Sequence, residues 1–315
     1  MLDILLPQVT DEVEVLVSDN ASTDNTLEII KEYQERYPGV IRLLRNETNI
    51  GADGNFLQCM FSAMGKHVMM ISDDDIIVEG AVERILTFLK TNPEVTLAYL
   101  ESVAFKDHYR GVDHCHGYKY LKEVPQDIVT TDKAELLSHC IRLFGFTSVH
   151  IWLTERIRSI DNPKRFFNTY FLQTYICIEC AKHPEDKLGL IHGPNIAVGE
   201  YGIVVNYDVA EVEGIKYHKM IDYAVANGFP KRFLEHFYIW KAIYLIRMYL
   251  IKERAIGVRK MKISNVFKAT WRYPKAWIEL YPFFLLPPFV CRIGMKLLRK
   301  AQGRSFLSYV NRPTE

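Results

Sequence analysis

Four apolar residues, Val68, Met69, Met70 and Ile71, run through Ser72 straight into three consecutive carboxylates, Asp73, Asp74 and Asp75. Four residues are too few for a helical period and suit a buried strand. That strand therefore ends in concentrated negative charge. In an open α/β sheet ligands sit outside the carboxyl ends of the strands, so these side chains are expected at a cleft, where like charges repel at close range. A hard divalent cation, Mg²⁺ or Mn²⁺, relieves that repulsion, keeps several of its waters and bridges carboxylates to substrate phosphates. The plainer alternative is an acidic turn that caps a helix starting near Glu79 and Gly80.

The flanking chain sets this strand in an alternating pattern. Residues 2–8 read as the last turns of an amphipathic helix stopped by Pro7. Residues 13–17 form a short strand, 18–26 a loop rich in turn and capping residues, and 27–37 a helix with apolar positions at 27, 29, 30, 33 and 37. Pro38 and Gly39 end it, 40–44 is the next strand, and 46–55 is a second loop that needs the freedom of Gly51 and Gly54. A helix over 56–64 leads back to the strand at 68–71. This succession predicts a parallel, doubly wound sheet with right-handed crossovers. Further on the pattern gives a helix at 80–90, a strand at 96–100, an irregular stretch over 106–129, a helix at 134–144, a strand at 149–153, an apolar helix within 166–181 and strand plus loop over 190–205.

At 315 residues the chain can bury a substantial core, and 39 basic against 38 acidic residues give no global argument for nucleic acid. Six scattered cysteines fit a reducing compartment. Cys177 and Cys180 fall within a helical stretch with no second pair to complete a zinc site, and His114, Cys115 and His116 read as an incidental trio in a polar loop. Residues 1–6 lack the basic flank and cleavage site of a secretory signal.

Beyond Pro230 the composition changes. Residues 233–251 are long enough to span a bilayer, but Glu235, His236, Lys241 and Arg247 interrupt them. Residues 271–304 combine Trp271, Tyr273, Trp277 and Tyr281, a proline-broken apolar run and a basic tail, which suits lying at a membrane interface; a helical subdomain packed on the rest of the chain is the alternative. The expected domains are 1–228, divided near 105, and a helical region over 229–315.

Three loops carry a resemblance over residues 2–100: Ser18 to Thr26, then Asn49, Ile50 and Gly51 with Asn55, then Ser72 to Asp75. In order and spacing the chain resembles family 2 glycosyltransferases of the GT-A fold, close to bacterial enzymes of O-antigen and capsular polysaccharide synthesis. The resemblance implies an α/β, Rossmann-like, mostly parallel sheet with a helical C-terminal extension. It also implies inverting, metal-dependent sugar transfer from a nucleotide-diphosphate donor to a lipid-linked or glycan acceptor; with the composition of residues 271–304, the protein is expected in the cytoplasm, resting peripherally on the inner face of the membrane. On it, Asp19 contacts the base, and Asn20, Asn49, Gly51, Asn55 and Asp73 belong to the donor site. Asp74 and Asp75 are assigned to Mg²⁺ or Mn²⁺.

The chain departs from the family in three places. Ser72 stands where an Asp is common, shifting the carboxylates by one. Gln173 and Thr174 stand where the family places an acidic pair that supplies the general base, which leaves Asp161 and Glu179 as the candidate bases. A first strand with a Pro-x-Tyr or Pro-x-Asn loop normally precedes the helix that residues 2–8 end, so a truncated product or misassigned start is expected. Two competing readings remain: a relative that binds nucleotide-sugar or membrane without turnover, and a nucleotidyltransferase, against which the missing Gly-rich basic phosphate loop counts.

Overall fold

A computed structural model of the chain describes residues 1–106, 108–117, 125–140, 144–199, 207–257 and 260–302, the last six by backbone only. The expected elements at 118–124, 141–143 and 200–205, and Arg304 of the basic tail, lie outside the described residues. The chain divides into two compact units, residues 1–200 with 226–230, and residues 201–225 with 231–315. Residues 201–225 thus join the helical unit, whereas the composition shift at Pro230 pointed to a break at 228.

The first unit opens with the short helix α1 (Leu2–Leu5), whose Leu5 is buried, and continues into β1 (Val15–Asp19), α2 (Thr26–Arg36) and β2 (Ile41–Arg45). β1 and β2 pair in parallel from Val15 opposite Ile41 to Asp19 opposite Arg45, so both strands end at one level and their loops share one corner. Helix α3 (Gly51–Ser62) begins five residues earlier than its apolar pattern indicates. Asn49 Oδ1 accepts the Gly51 N–H at 2.8 Å, and Gly51 at φ +78° makes the sharp entry that a side chain would strain.

β3 (His67–Met69) is shorter and more exposed than a fully buried strand, and among the described residues it pairs only with residues 151–153. The acidic turn and the two-residue β4 (Ile76–Ile77) follow, then α4 (Ala81–Thr91), which buries Ala81, Val82, Ile85 and Phe88 along one stripe. Val82, Ile85 and Phe88 each contribute about 1.5–3 kcal/mol.

β5 (Val95–Phe105) is the sheet's centre. It is nearly continuous in buried residues, as a strand covered on both faces should be. Two-residue β6 (His116–Gly117) pairs with its far end; β7 (Ile128–Thr130), α5 (Lys133–Cys140), β8 (His150–Leu153), α6 (Thr154–Arg158), α7 (Leu172–Cys180) and β9 (Lys187–Gly199) complete the unit. The larger sheet runs β3-β8-β5-β9-β4. Its longest ladder, β5 with β9, is parallel like β1 with β2; the short ladders that extend it are antiparallel. The α/β, mostly parallel class holds: the two longest ladders are parallel, and only short ones run antiparallel.

β9 bulges at residues 192–195, between Leu100 opposite Ile191 and Ser102 opposite Ile196. Pro194 sits in that bulge, where no ladder donor is needed, and Glu101 Oε2 accepts the Gly193 N–H at 2.7 Å. Gly189 lies where α4 crosses β9, and a Cβ there would come within 2.8 Å of the buried Phe88 ring and 3.2 Å of Ala98 Cβ.

The apolar stretch 166–181 is not one helix. Pro163–Phe166 forms a 3₁₀ turn, Asn168 and Tyr170 adopt left-handed backbone at φ +62° and +71°, and only α7 follows, buried on every side. Cys177 and Cys180 are accordingly core thiols: the Trp152 indole donates to Cys177 Sγ at 3.2 Å, and burial pushes the Cys177 thiol up to about 12.

The second unit starts with a π-helix at Ala210–Lys216, followed by α8 (Tyr217–Ala226) and the long α9 (Lys231–Ile256). Gly214 lets the π-helix lie against α10 (Ile263–Thr270), since a Cβ there would approach Ala269 Cβ to 2.6 Å. Tyr238 on α9 donates its hydroxyl to the Gly214 carbonyl at 2.9 Å. α11 (Pro274–Glu279), a 3₁₀ turn at Tyr281–Phe284 and α12 (Pro288–Gln302) end the described chain. No single described helix is long and apolar enough to cross a membrane.

Candidate active site

The shared end of β1 and β2 is tied by asparagine side chains. Asn20 Nδ2 donates to Asn49 Oδ1 at 3.0 Å, while Asn20 Oδ1 accepts from the Ile50 N–H at 3.0 Å and from Asn46 Nδ2 at 3.1 Å. Asn55 Oδ1, on α3, accepts from the Ser18 hydroxyl at 2.7 Å and from Asn46 Nδ2 at 3.2 Å. The sequence-predicted Asn20, Asn49, Gly51 and Asn55 are therefore brought together. Asn46, which donates to both Asn20 and Asn55, was missed as a site residue. No pattern in the sequence marked it, because the pairing that brings Arg45 opposite Asp19 is seen only in the fold.

Asp19 closes this corner. It is 3% exposed; Oδ1 accepts the Ser22 N–H at 3.1 Å, and Ala21 turns the backbone at φ +60°. Oδ2 is buried and has no hydrogen-bond partner among the described residues. A buried carboxylate oxygen left unpaired is costly, and a ligand N–H satisfies it.

The acidic turn separates its three carboxylates. Asp73 and Asp74 are exposed, whereas Asp75 is 3% exposed and accepts the Ser148 hydroxyl at 2.6 Å; the same hydroxyl oxygen accepts the Ser72 N–H at 2.9 Å. Burial pushes the Asp75 carboxyl up to about 6, with the charges of Asp74 and Asp73 adding and the Ser148 hydrogen bond opposing. Asp75 is thus engaged in holding the turn. No group of three or more His, Cys, Asp or Glu side chains converges as a metal centre among the described residues, the 114–116 trio included. The resemblance assigned the ion to Asp74 and Asp75; with Asp75 buried on Ser148, the exposed pair Asp73 and Asp74 fits Mg²⁺ or Mn²⁺ instead, since Mg²⁺ takes one or two carboxylates and completes its shell with water and substrate phosphate. Ser148 was invisible to sequence reading, lying 73 positions from Asp75.

The two candidate bases stand in different surroundings. Asp161 is exposed, its backbone carbonyl accepting from Arg165 Nη1 at 2.8 Å. Glu179 is 5% exposed on α7 and holds Arg165 Nη2 at 2.8 Å and Lys182 Nζ at 3.1 Å. A carboxylate whose two oxygens each hold a cation has little left to offer an acceptor hydroxyl. Gln173 is committed as well, donating to the Gly145 carbonyl at 3.0 Å. Asp53 on α3 accepts the Asn168 N–H at 2.6 Å, which anchors the left-handed loop before α7 to the helix that carries Asn55. Sequence reading missed Asp53 too.

Residues 1–150 match the family described as Glycosyl transferase family 2. The chain is 35% identical over 88 residues to an uncharacterized protein of Mycobacterium bovis, covering 28% of this chain and 25% of that one. It is 25% identical over 191 residues to the abequosyltransferase RfbV of Salmonella typhimurium, covering 58% of this chain and 56% of that one. The chain thus spans from a quarter to about half of the length of these relatives. A crystal structure of S. aureus TarS 1–349 superposes with a TM-score of 0.53 at 14% identity, over 82% of this chain and 69% of that one, a likeness of fold that bears out the GT-A class. The match over residues 1–150, with the strand-end loops already described, makes this part of the chain similar to glycosyl transferase family 2.

Proposed function

We propose that the chain transfers a sugar from a nucleotide-diphosphate donor to a lipid-linked or glycan acceptor in bacterial surface polysaccharide synthesis. The observation that carries this reading is the unpaired, buried Asp19 Oδ2 at the end of a strand whose loop is already fixed by Asn20, Asn46, Asn49 and Asn55. A nucleobase N–H satisfies that oxygen without any loop having to move. Asp73 and Asp74 would hold Mg²⁺ or Mn²⁺, and the ion supplies positive charge to the departing diphosphate. Asp75 keeps the turn folded through Ser148. In an inverting transfer Asp161, the exposed candidate, accepts the acceptor hydroxyl's proton. The abequosyltransferase relative supports sugar transfer as the reaction class. The protein acts in the cytoplasm, with peripheral contact to the inner face of the membrane through residues 271–304.

Calorimetry with UDP and GDP, with and without Mn²⁺, tests the donor site. Binding that requires the ion and weakens in Asp19→Ala is expected; equal binding by both proteins removes Asp19 from the site.

The second reading, a relative that binds donor without turnover, draws on the amide and hydroxyl of Gln173 and Thr174 at the family's base position and on the paired state of Glu179. Metal-dependent donor binding with neither donor hydrolysis nor transfer to membrane extracts would favour it.

A further inference from the structure

We infer that the bent helix pair α11–α12 is a shallow wedge that seats in the headgroup region of an anionic lipid bilayer. The inference deepens the peripheral placement proposed for the chain and rests on it. Helical residues Pro274–Phe284 and Pro288–Lys296 meet at 106°, with Pro287 and Pro288 at the break, so the pair cannot run straight through a bilayer. Its most exposed apolar side chains point outward: Ile278 is 77% exposed, Leu285 85%, Phe289 57% and Ile293 52%. Isolated exposed apolar residues are ordinary, but here the rings beside them form one continuous surface. Trp277 packs on Tyr281 at 4.6 Å, and Phe267 touches Trp271, Trp277 and Tyr281 at 6.3–6.5 Å. The Trp277 indole N–H donates to the Trp271 carbonyl at 2.9 Å, which fixes the ring while leaving it half exposed.

Charge identifies the occupant. Within residues 263–296 the exposed cations are Lys268, Arg272, Lys275, Arg292 and Lys296, and Glu279 is the single acid. Glu279 is itself held by Arg247 at 3.4 Å and Lys275 at 3.6 Å. A half-exposed aromatic surface interleaved with cations, its acid neutralised, matches the interfacial zone of an anionic leaflet, where aromatic rings sit at headgroup level and each basic residue adds attraction. The wedge is also anchored from behind: Cys291 and Met295 bury against Ile251 of α9, and Arg254 Nε donates to the Leu286 carbonyl at 3.1 Å. The outward residues are thereby held out.

Sedimentation of the full-length protein with phosphatidylcholine vesicles, with and without phosphatidylglycerol, tests this. Binding is expected to the anionic vesicles and to fall with added salt. Ile278→Glu with Leu285→Glu should lower partitioning at least tenfold, and Arg292→Glu with Lys296→Glu about tenfold, in the anionic vesicles alone. All four positions are exposed, and circular dichroism checks that the variants fold. A wild-type protein left in the supernatant overturns the inference, as does undiminished binding by the Ile278→Glu, Leu285→Glu variant. So does lipid-free self-association abolished by that variant, which would assign the surface to a second copy. UDP or GDP binding without vesicles reports on the donor site alone, so loss of one reading leaves the other measurable.

Discussion

The corner at β1 and β2 and the turn after β3 both lie at strand ends, yet they are built from opposite chemistry. The corner is neutral and saturated: four asparagines and a serine exchange hydrogen bonds among themselves, leaving one carboxylate oxygen, Asp19 Oδ2, unmatched. The turn is charged and open. Two of its carboxylates face solvent, and one hydroxyl, from Ser148, holds the third. Amides can be arranged in advance because they satisfy one another at no electrostatic cost, whereas adjacent carboxylates gain from a partner that arrives with the ligand. The two sites should therefore respond differently to mutation.

The largest effect is expected outside both. Asp161→Asn should lower turnover by roughly 10²–10⁴-fold with donor affinity unchanged, if the exposed carboxylate is the base. Glu179→Gln should instead cost about 2–3 kcal/mol of stability, below the range for a fully buried pair because Arg165 and Lys182 reach solvent. Steady-state kinetics and denaturant melts separate the two outcomes, and full activity in Asp161→Asn removes it as base. Next, Asp74→Asn should weaken Mn²⁺-dependent UDP or GDP binding by about 10–100-fold without changing the melting temperature of the metal-free protein. A matching drop in stability would mean that the open turn is as structural as the corner.

Asn55→Ala should do the reverse. It strips the acceptor from the Ser18 hydroxyl and from Asn46, so about 1–3 kcal/mol of stability should be lost with the metal requirement intact. The smallest effect is reserved for Asp75. Its carboxyl is raised to about 6 in the fold, so between pH 4 and 6 the folded state holds a proton that the unfolded chain has released. Stability assigned to this group is then full below about pH 4 and is lost as pH rises through 6. Melts of the chelator-treated protein should show that loss, on the order of 1–2 kcal/mol, and Asp75→Asn should flatten it. An unchanged profile would return Asp75 to the same standing as Asp73 and Asp74.

What the sequence disclosed follows the same division. Asp19, Asn20, Asn49, Gly51 and Asn55 were named because their loops resemble those of the family, and the fold brings Asn20, Asn49, Gly51 and Asn55 together. Asn46 and Asp53 sat in the same segments but carried no distinguishing pattern, since their roles depend on which loops meet. Ser148 could not be found at all, as a serine before a strand says nothing of a carboxylate far away along the chain. The chain at 166–181 was legible only in part, its helix seen but not the turn and loop before it. Apolar content alone cannot separate a buried helix from a 3₁₀ turn and a left-handed loop that pack into the same core. The membrane-facing reading of the C-terminal region came from composition, and only the bend between α11 and α12 gives it a shape.

Gly189 carries a consequence for anyone screening this protein by random mutagenesis. Any side chain there must push Phe88 and with it α4, the helix that starts six residues after Asp75. Arg84 on that helix holds the β9 bulge through Asn195 and Pro194, so the helix cannot shift without disturbing both. A substitution with no chemistry of its own would then present as a defect of the acidic turn, and a phenotype map would draw the active site larger than it is.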